Sequence, residues 1–77
     1  MDAEQRAIAR KALKEAISLC GSQAKFAEGC EVTQQAVSYW LKSGVLPADK
    51  VVLAEQATGE RIKRQRFRPD IFTAPPQ

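Results

Sequence analysis

Seventy-seven residues with no histidine allow one domain and little room for a catalytic pocket, so an enzyme is not expected. The apolar share of 44% belongs to a folded chain, and no apolar run approaches a membrane-spanning length, so neither global disorder nor membrane residence is expected. The net charge of +3 is uneven: residues 61–77 carry Arg61, Lys63, Arg64, Arg66 and Arg68 against Asp70 alone, a local excess that suits a polyanion or merely solvates a tail.

The pattern predicts a first helix over 2–20. Ile8, Ala12, Leu13, Ala16, Ile17 and Cys20 form its apolar stripe, and Arg6, Arg10, Lys11, Lys14 and Glu15 lie mostly opposite. Asp2 and Glu4 sit where the helix dipole favours negative charge, and Gly21 ends the helix in a left-handed conformation. Ser22 is a natural N-cap for a shorter helix running to about Gly29. Ala27 is the small residue expected where two helices cross steeply, and Gly29-Cys30-Glu31-Val32 forms the turn.

Thr33 caps a third helix, with Val37, Trp40 and Leu41 facing inward and Gln34, Gln35, Ser38, Tyr39 and Lys42 outward. Ser43-Gly44 stops it. Pro47 opens a fourth helix that reaches about Thr58 before Gly59. Val51, Val52, Leu53 and Ala54 make that helix apolar around much of its girth, as in a central helix or one half-buried in a partner chain. Beyond it, residues 60–64 alternate weakly and read as one short extended piece. Arg68-Pro69-Asp70-Ile71-Phe72 reads as a single turn anchored by Ile71 and Phe72, and 73–77 as a disordered tail. The whole is an all-α domain over 1–72, of four to five helices, with one short extended segment near the C-terminus.

Residues 22–44 carry the functional signal. Two short helices joined by a tight turn make the helix-turn-helix that places its second helix in the major groove of double-stranded DNA. Ala27, Val32, Val37 and Trp40 meet its packing demands in order. Glutamine can pair bidentately with adenine, and Gln34 and Gln35 stand on the helix end nearest the bases, with Ser38 one turn on. Ser22 and Gln23 offer a backbone N–H and a side-chain amide to phosphate, while Lys25 and Lys42 add charge. Tyr39 either touches DNA or packs at the edge. Arg61, Lys63, Arg64 and Arg66 are candidate backbone contacts. Cys20 and Cys30, without histidine, point to two small buried thiols and to no metal or cofactor. The absence of a leader pattern points to the cytoplasm.

From Ser22 to Leu41 the chain resembles the Cro/CI repressors of lambdoid phages and prophages, which implies a lambda-repressor-like fold, base contact by Gln34 and Gln35, and phosphate contact by Gln23. A closer resemblance, to the YdaS-like Cro group, rests on Gly21-Ser22-Gln23, Gln35-Ala36-Val37-Ser38-Tyr39-Trp40-Leu41, Val45-Leu46-Pro47-Ala48, Ala57-Thr58-Gly59 and Arg68-Pro69-Asp70-Ile71-Phe72. It implies a small regulator in a bacterial host, sometimes grouped with antitoxins, that binds a palindromic operator as a dimer. Glu31 departs from the pattern, which usually has glycine in the turn. Size also favours a homodimer, with a seam drawn from Val51, Val52, Leu53, Ile62, Ile71 and Phe72. The competing expectation is a module that binds a toxin or another protein partner.

Overall fold

A computed structural model describes residues 2–72. Five helices follow one another among these residues: α1 (Ala3–Cys20), α2 (Gln23–Gly29), α3 (Gln34–Ser43), α4 (Ala48–Ala57) and α5 (Arg64–Phe67). The described residues form no strand. The all-α expectation holds, and the extended piece over 60–64 does not. The reason is local. After α4 the Thr58 hydroxyl donates to the Glu55 carbonyl (2.9 Å) and accepts the Ile62 N–H (3.3 Å). Gly59 and Glu60 both turn through positive φ, and Ile62 drops into the core with 2% of its surface exposed. The chain leaves this turn directly into α5. The 73–77 tail lies outside the described residues.

The helix ends follow from residue chemistry. Asp2 and Gln5 cap α1 reciprocally: the Gln5 N–H donates to Asp2 Oδ1 (2.8 Å) and the Asp2 N–H to Gln5 Oε1 (3.2 Å). Ser22 accepts the Lys25 N–H, and Thr33 accepts the Ala36 N–H. Gly21 and Gly44 close α1 and α3 with positive φ, as expected.

One core serves the whole domain. Helix α1 packs against each of the other four. Of the expected stripe, Ala12, Leu13 and Ala16 are buried and Ile17 and Cys20 pack half-buried against the core; only Ile8 is left exposed, and Ala9 is buried in its stead. Three alanines let neighbouring backbones approach closely, and that selects the face more strongly than the bulk of Ile8. Phe26, Ala27, Cys30, Val37, Trp40, Leu46, Val51, Ala54, Ile62 and Phe67 complete the core. Ala27 is buried as expected, and a second close approach falls at Gly29. A Cβ there would stand 2.8 Å from that of Ala57, a distance real side chains do not tolerate. Val51 and Ile62 are buried within the chain itself and are unavailable for a dimer seam. Val52, Leu53 and Ile71 keep exposed or half-exposed surface.

The turn between α2 and α3 resolves the departure at Glu31. This residue adopts φ +60°, the left-handed region that glycine enters freely and other residues enter at a cost of about 1–2 kcal/mol. Glu31→Gly is therefore expected to stabilise the domain by about 0.5–1 kcal/mol. That gain should raise the thermal midpoint by about 2–8 °C, while Glu31→Val should lower it. Thermal melts of the two variants against the parent chain check the sign.

Candidate nucleic-acid interface

The α2–turn–α3 unit presents one polar face. Gln34, Gln35, Ser38, Tyr39 and Lys42 are all exposed along α3, whereas Val37 and Trp40, on the opposite side, keep at most 4% of their surface. Neither glutamine side chain of α3 is engaged by another described residue. Tyr39 is 68% exposed, which removes the edge-packing alternative within this chain. Lys25 is exposed on α2, and Thr33 sits exposed at the head of α3, its hydroxyl occupied as the cap.

Two side chains from outside α3 fix its orientation. Gln23, the first residue of α2, donates through Nε2 to the Gln34 carbonyl (3.1 Å) and to Ser38 Oγ (2.6 Å). At the other end, Arg10 of α1 donates through Nε to the Leu41 carbonyl (3.2 Å) and through Nη2 to the Lys42 carbonyl (2.9 Å). The last carbonyls of a helix have no partner within it, so this guanidinium supplies donors that the helix lacks and a charge that its negative end favours. Gly44 makes the approach feasible, since a Cβ there would meet Arg6 Cβ at 3.0 Å and Arg10 Cζ at 3.3 Å. Sequence reading assigned Arg10 to the outer face of the first helix. Nothing local signals a contact to residues thirty positions away.

The basic C-terminal stretch is largely neutralised within the fold. Arg64 pairs with Glu55 (3.0 Å), Arg66 with Glu15 (2.8 Å) and Arg68 with Asp70 (2.8 Å). Arg64 and Arg66 are thereby tied to the domain as structural partners. Arg61 and Lys63 are exposed and form no ion pair among the described residues. Arg68 also donates to the Leu46 carbonyl (2.7 Å), fastening the last turn to the α3–α4 connector.

Glu55 is the buried member of these pairs, its side chain 5% exposed. The Arg64 guanidinium, aided by the Arg64 N–H (2.8 Å), holds its carboxyl below the ordinary 4.5 against the opposing effect of burial. Because the folded value is depressed, the pair stabilises the domain at neutral pH. That contribution is lost as pH falls from about 4.5 through the folded value. Glu55→Gln should cost about 1 kcal/mol at pH 7, since Arg64 is partly solvated, and almost nothing once the carboxylate is protonated. Urea unfolding of both proteins at neutral and strongly acidic pH measures that convergence.

The two cysteines are free thiols, but only Cys30 is buried; Cys20, at the end of α1, is half-buried. Cys20 donates to the Ala57 carbonyl at 3.4 Å. Cys30 is fully buried, and burial pushes its thiol up to about 12, so it is protonated and unreactive at neutral pH. Among the described residues no His/Cys/Asp/Glu group has metal-binding geometry. No described helix is long and apolar enough to cross a membrane.

The family described as "Bacterial toxin YdaS" matches residues 13–76, from the middle of α1 past α5. The chain belongs to the YdaS family. The match spans the α2–turn–α3 unit, both α3 glutamines and the ion-paired helix α5. No curated protein and no solved structure matches the chain.

Proposed function

We infer that this YdaS-family protein is a sequence-specific DNA-binding regulator that reads the major groove through α3. The observation that carries the reading is the outward presentation of Gln34 and Gln35 on a helix whose other side is sealed by Val37 and Trp40. Two adjacent amides with free donors and acceptors fit base edges, and the body of the domain has no use for them. Exposed Lys25, Lys42, Arg61 and Lys63 supply phosphate contacts, and each such contact should contribute about one unit to the salt slope of binding. On this reading the protein works in the cytoplasm of a bacterial host as a Cro-like prophage repressor. It acts as a homodimer on a palindromic operator, with half-sites about 34 Å apart. The exposed remainder of the apolar seam, Val52 and Ile71 with half-buried Leu53, would meet the second copy.

Selection of bound sequences from a random duplex pool tests the reading. A recovered inverted repeat, bound more tightly than scrambled DNA of equal length, supports it. Equal binding to every duplex rejects it.

The family's description as a toxin favours a second reading, in which the domain acts by engaging a protein. Exposed Ile8, Leu19, Val52 and Ile71 would be its contacts. Growth inhibition on expression in a bacterial host separates the two. If inhibition disappears on replacing both α3 glutamines by alanine, it proceeds through DNA; if it persists, the protein-binding reading stands.

A further inference from the structure

Ion pairing occupies Arg64, Arg66 and Arg68, so the cations left for a polyanion lie elsewhere on the surface. Arg6 is one of them. It is exposed near the start of α1, and its side chain makes no hydrogen bond or ion pair among the described residues. Arg10, one turn on, is already committed to the Leu41 and Lys42 carbonyls. Gly44 fixes where Arg6 stands relative to α3. A Cβ on Gly44 would lie 3.0 Å from Arg6 Cβ and 3.2 Å from the Arg6 carbonyl oxygen. Arg6 therefore leaves α1 beside the end of α3, where Lys42 is also exposed. The connector that follows brings no cation to replace them. Val45, Leu46, Pro47 and Ala48 are uncharged, and the next residue is exposed Asp49.

The opposite end of α3 has its own cation. Gln23 meets the Gln34 carbonyl at the start of α3, and exposed Lys25 stands two residues further along the first turn of α2. Helix α3 has ten residues, so it is about 15 Å long. The major groove is about 12 Å wide. A helix of that length with cations at both ends reaches from one bordering strand to the other.

We propose that Arg6, with Lys42 beside it, binds a backbone phosphate on the strand across the groove from the one that Lys25 meets. This rests on the DNA-binding reading of α3 and extends its contact surface to α1, outside the two-helix motif. Arginine suits the role, since its fork of N–H donors matches phosphate oxygens. Lys11 is the natural control. It lies about 140° round the helix from Arg6. It is exposed on the side of α5, where the Glu15 carboxyl is held below its ordinary value by Arg66 first and by Lys11 as well.

The test titrates the full chain with the duplex recovered by random-pool selection and with scrambled duplex, at several salt concentrations. Arg6→Gln should lower the salt slope by about 0.9 and weaken both duplexes alike, by about five- to tenfold at 0.1 M salt. Arg6→Lys should keep the parental slope, and so should Lys11→Gln, which removes the same charge from the same helix. Duplexes carrying one uncharged methylphosphonate linkage then locate the contact. At one linkage the parent chain should lose affinity while Arg6→Gln loses none further. Lys25→Gln should be insensitive to a different linkage, on the opposite strand.

An unchanged slope in Arg6→Gln, or an equal fall in Lys11→Gln, would overturn the proposal. So would a loss confined to the selected duplex, which marks a base contact, or insensitivity of both variants to linkages on the same strand. A parent chain that binds no duplex, or every duplex equally, would instead overturn the DNA-reading function itself, before any variant is made.

Discussion

Phe67→Ala should remove about 3–5 kcal/mol of stability, the usual cost of emptying a fully buried phenylalanine site. Phe67 is 0% exposed and belongs to the same core as Phe26, Val37 and Trp40. Marginal stability for a domain of this size is about 4–12 kcal/mol, so the loss consumes a large part of it. The thermal midpoint should fall by at least about 12 °C, or cooperative unfolding should vanish. Phe72→Ala is the comparison, since Phe72 is only half-buried and packs on the core from outside. Circular dichroism melts of the two variants rank them. If Phe67→Ala melts no lower than Phe72→Ala, α5 is an accessory and the single-core description fails.

The second large effect is on binding. Gln34→Ala with Gln35→Ala should weaken binding to the selected operator by about 2–4 kcal/mol, roughly 30- to 1,000-fold, as expected for losing one or two bidentate base contacts. Both side chains are exposed and make no hydrogen bond among the described residues, so the fold should be unaffected within about 0.5 kcal/mol. Affinity for scrambled duplex and the salt slope should stay at parental values, because Lys25, Lys42, Arg61 and Lys63, the proposed phosphate contacts, are untouched. Titration of operator and scrambled duplex at several salt concentrations gives all three quantities. An equal loss on both duplexes would show that the glutamines act on the backbone and read nothing.

Most of α1 to α4 was legible in the sequence because their ends carry residues with one dominant local use. Ser22 and Thr33 are caps, and Gly21 and Gly44 are left-handed stops. The inward side of α3 was legible because Val37 and Trp40 are spaced for one helical face. Helix α5 was not. Four residues, three of them polar, display no period, and the segment is held by Phe67 burial and by pairing of Arg64 and Arg66 with carboxylates on α4 and α1. The neutralisation of the basic stretch was hidden as well, because Arg64 and Arg66 find their carboxylates on other helices, at Glu55 and Glu15. Leu46 looked like part of a connector and is a fully buried core residue. Of the candidate site, the outward residues were readable from periodicity. The internal use of the Gln23 amide was not, since it depends on how α2 and α3 meet in space.

Arg10 grips one end of α3 and Gln23 the other, from two different helices. Held at both ends in this way, α3 would, on the DNA-binding reading proposed above, already be aligned before any nucleic acid arrives, and little freedom would remain to be surrendered on docking. On the same reading, altering Arg10, which grips the Leu41 and Lys42 carbonyls from α1, would loosen that alignment and appear as faster dissociation rather than slower encounter.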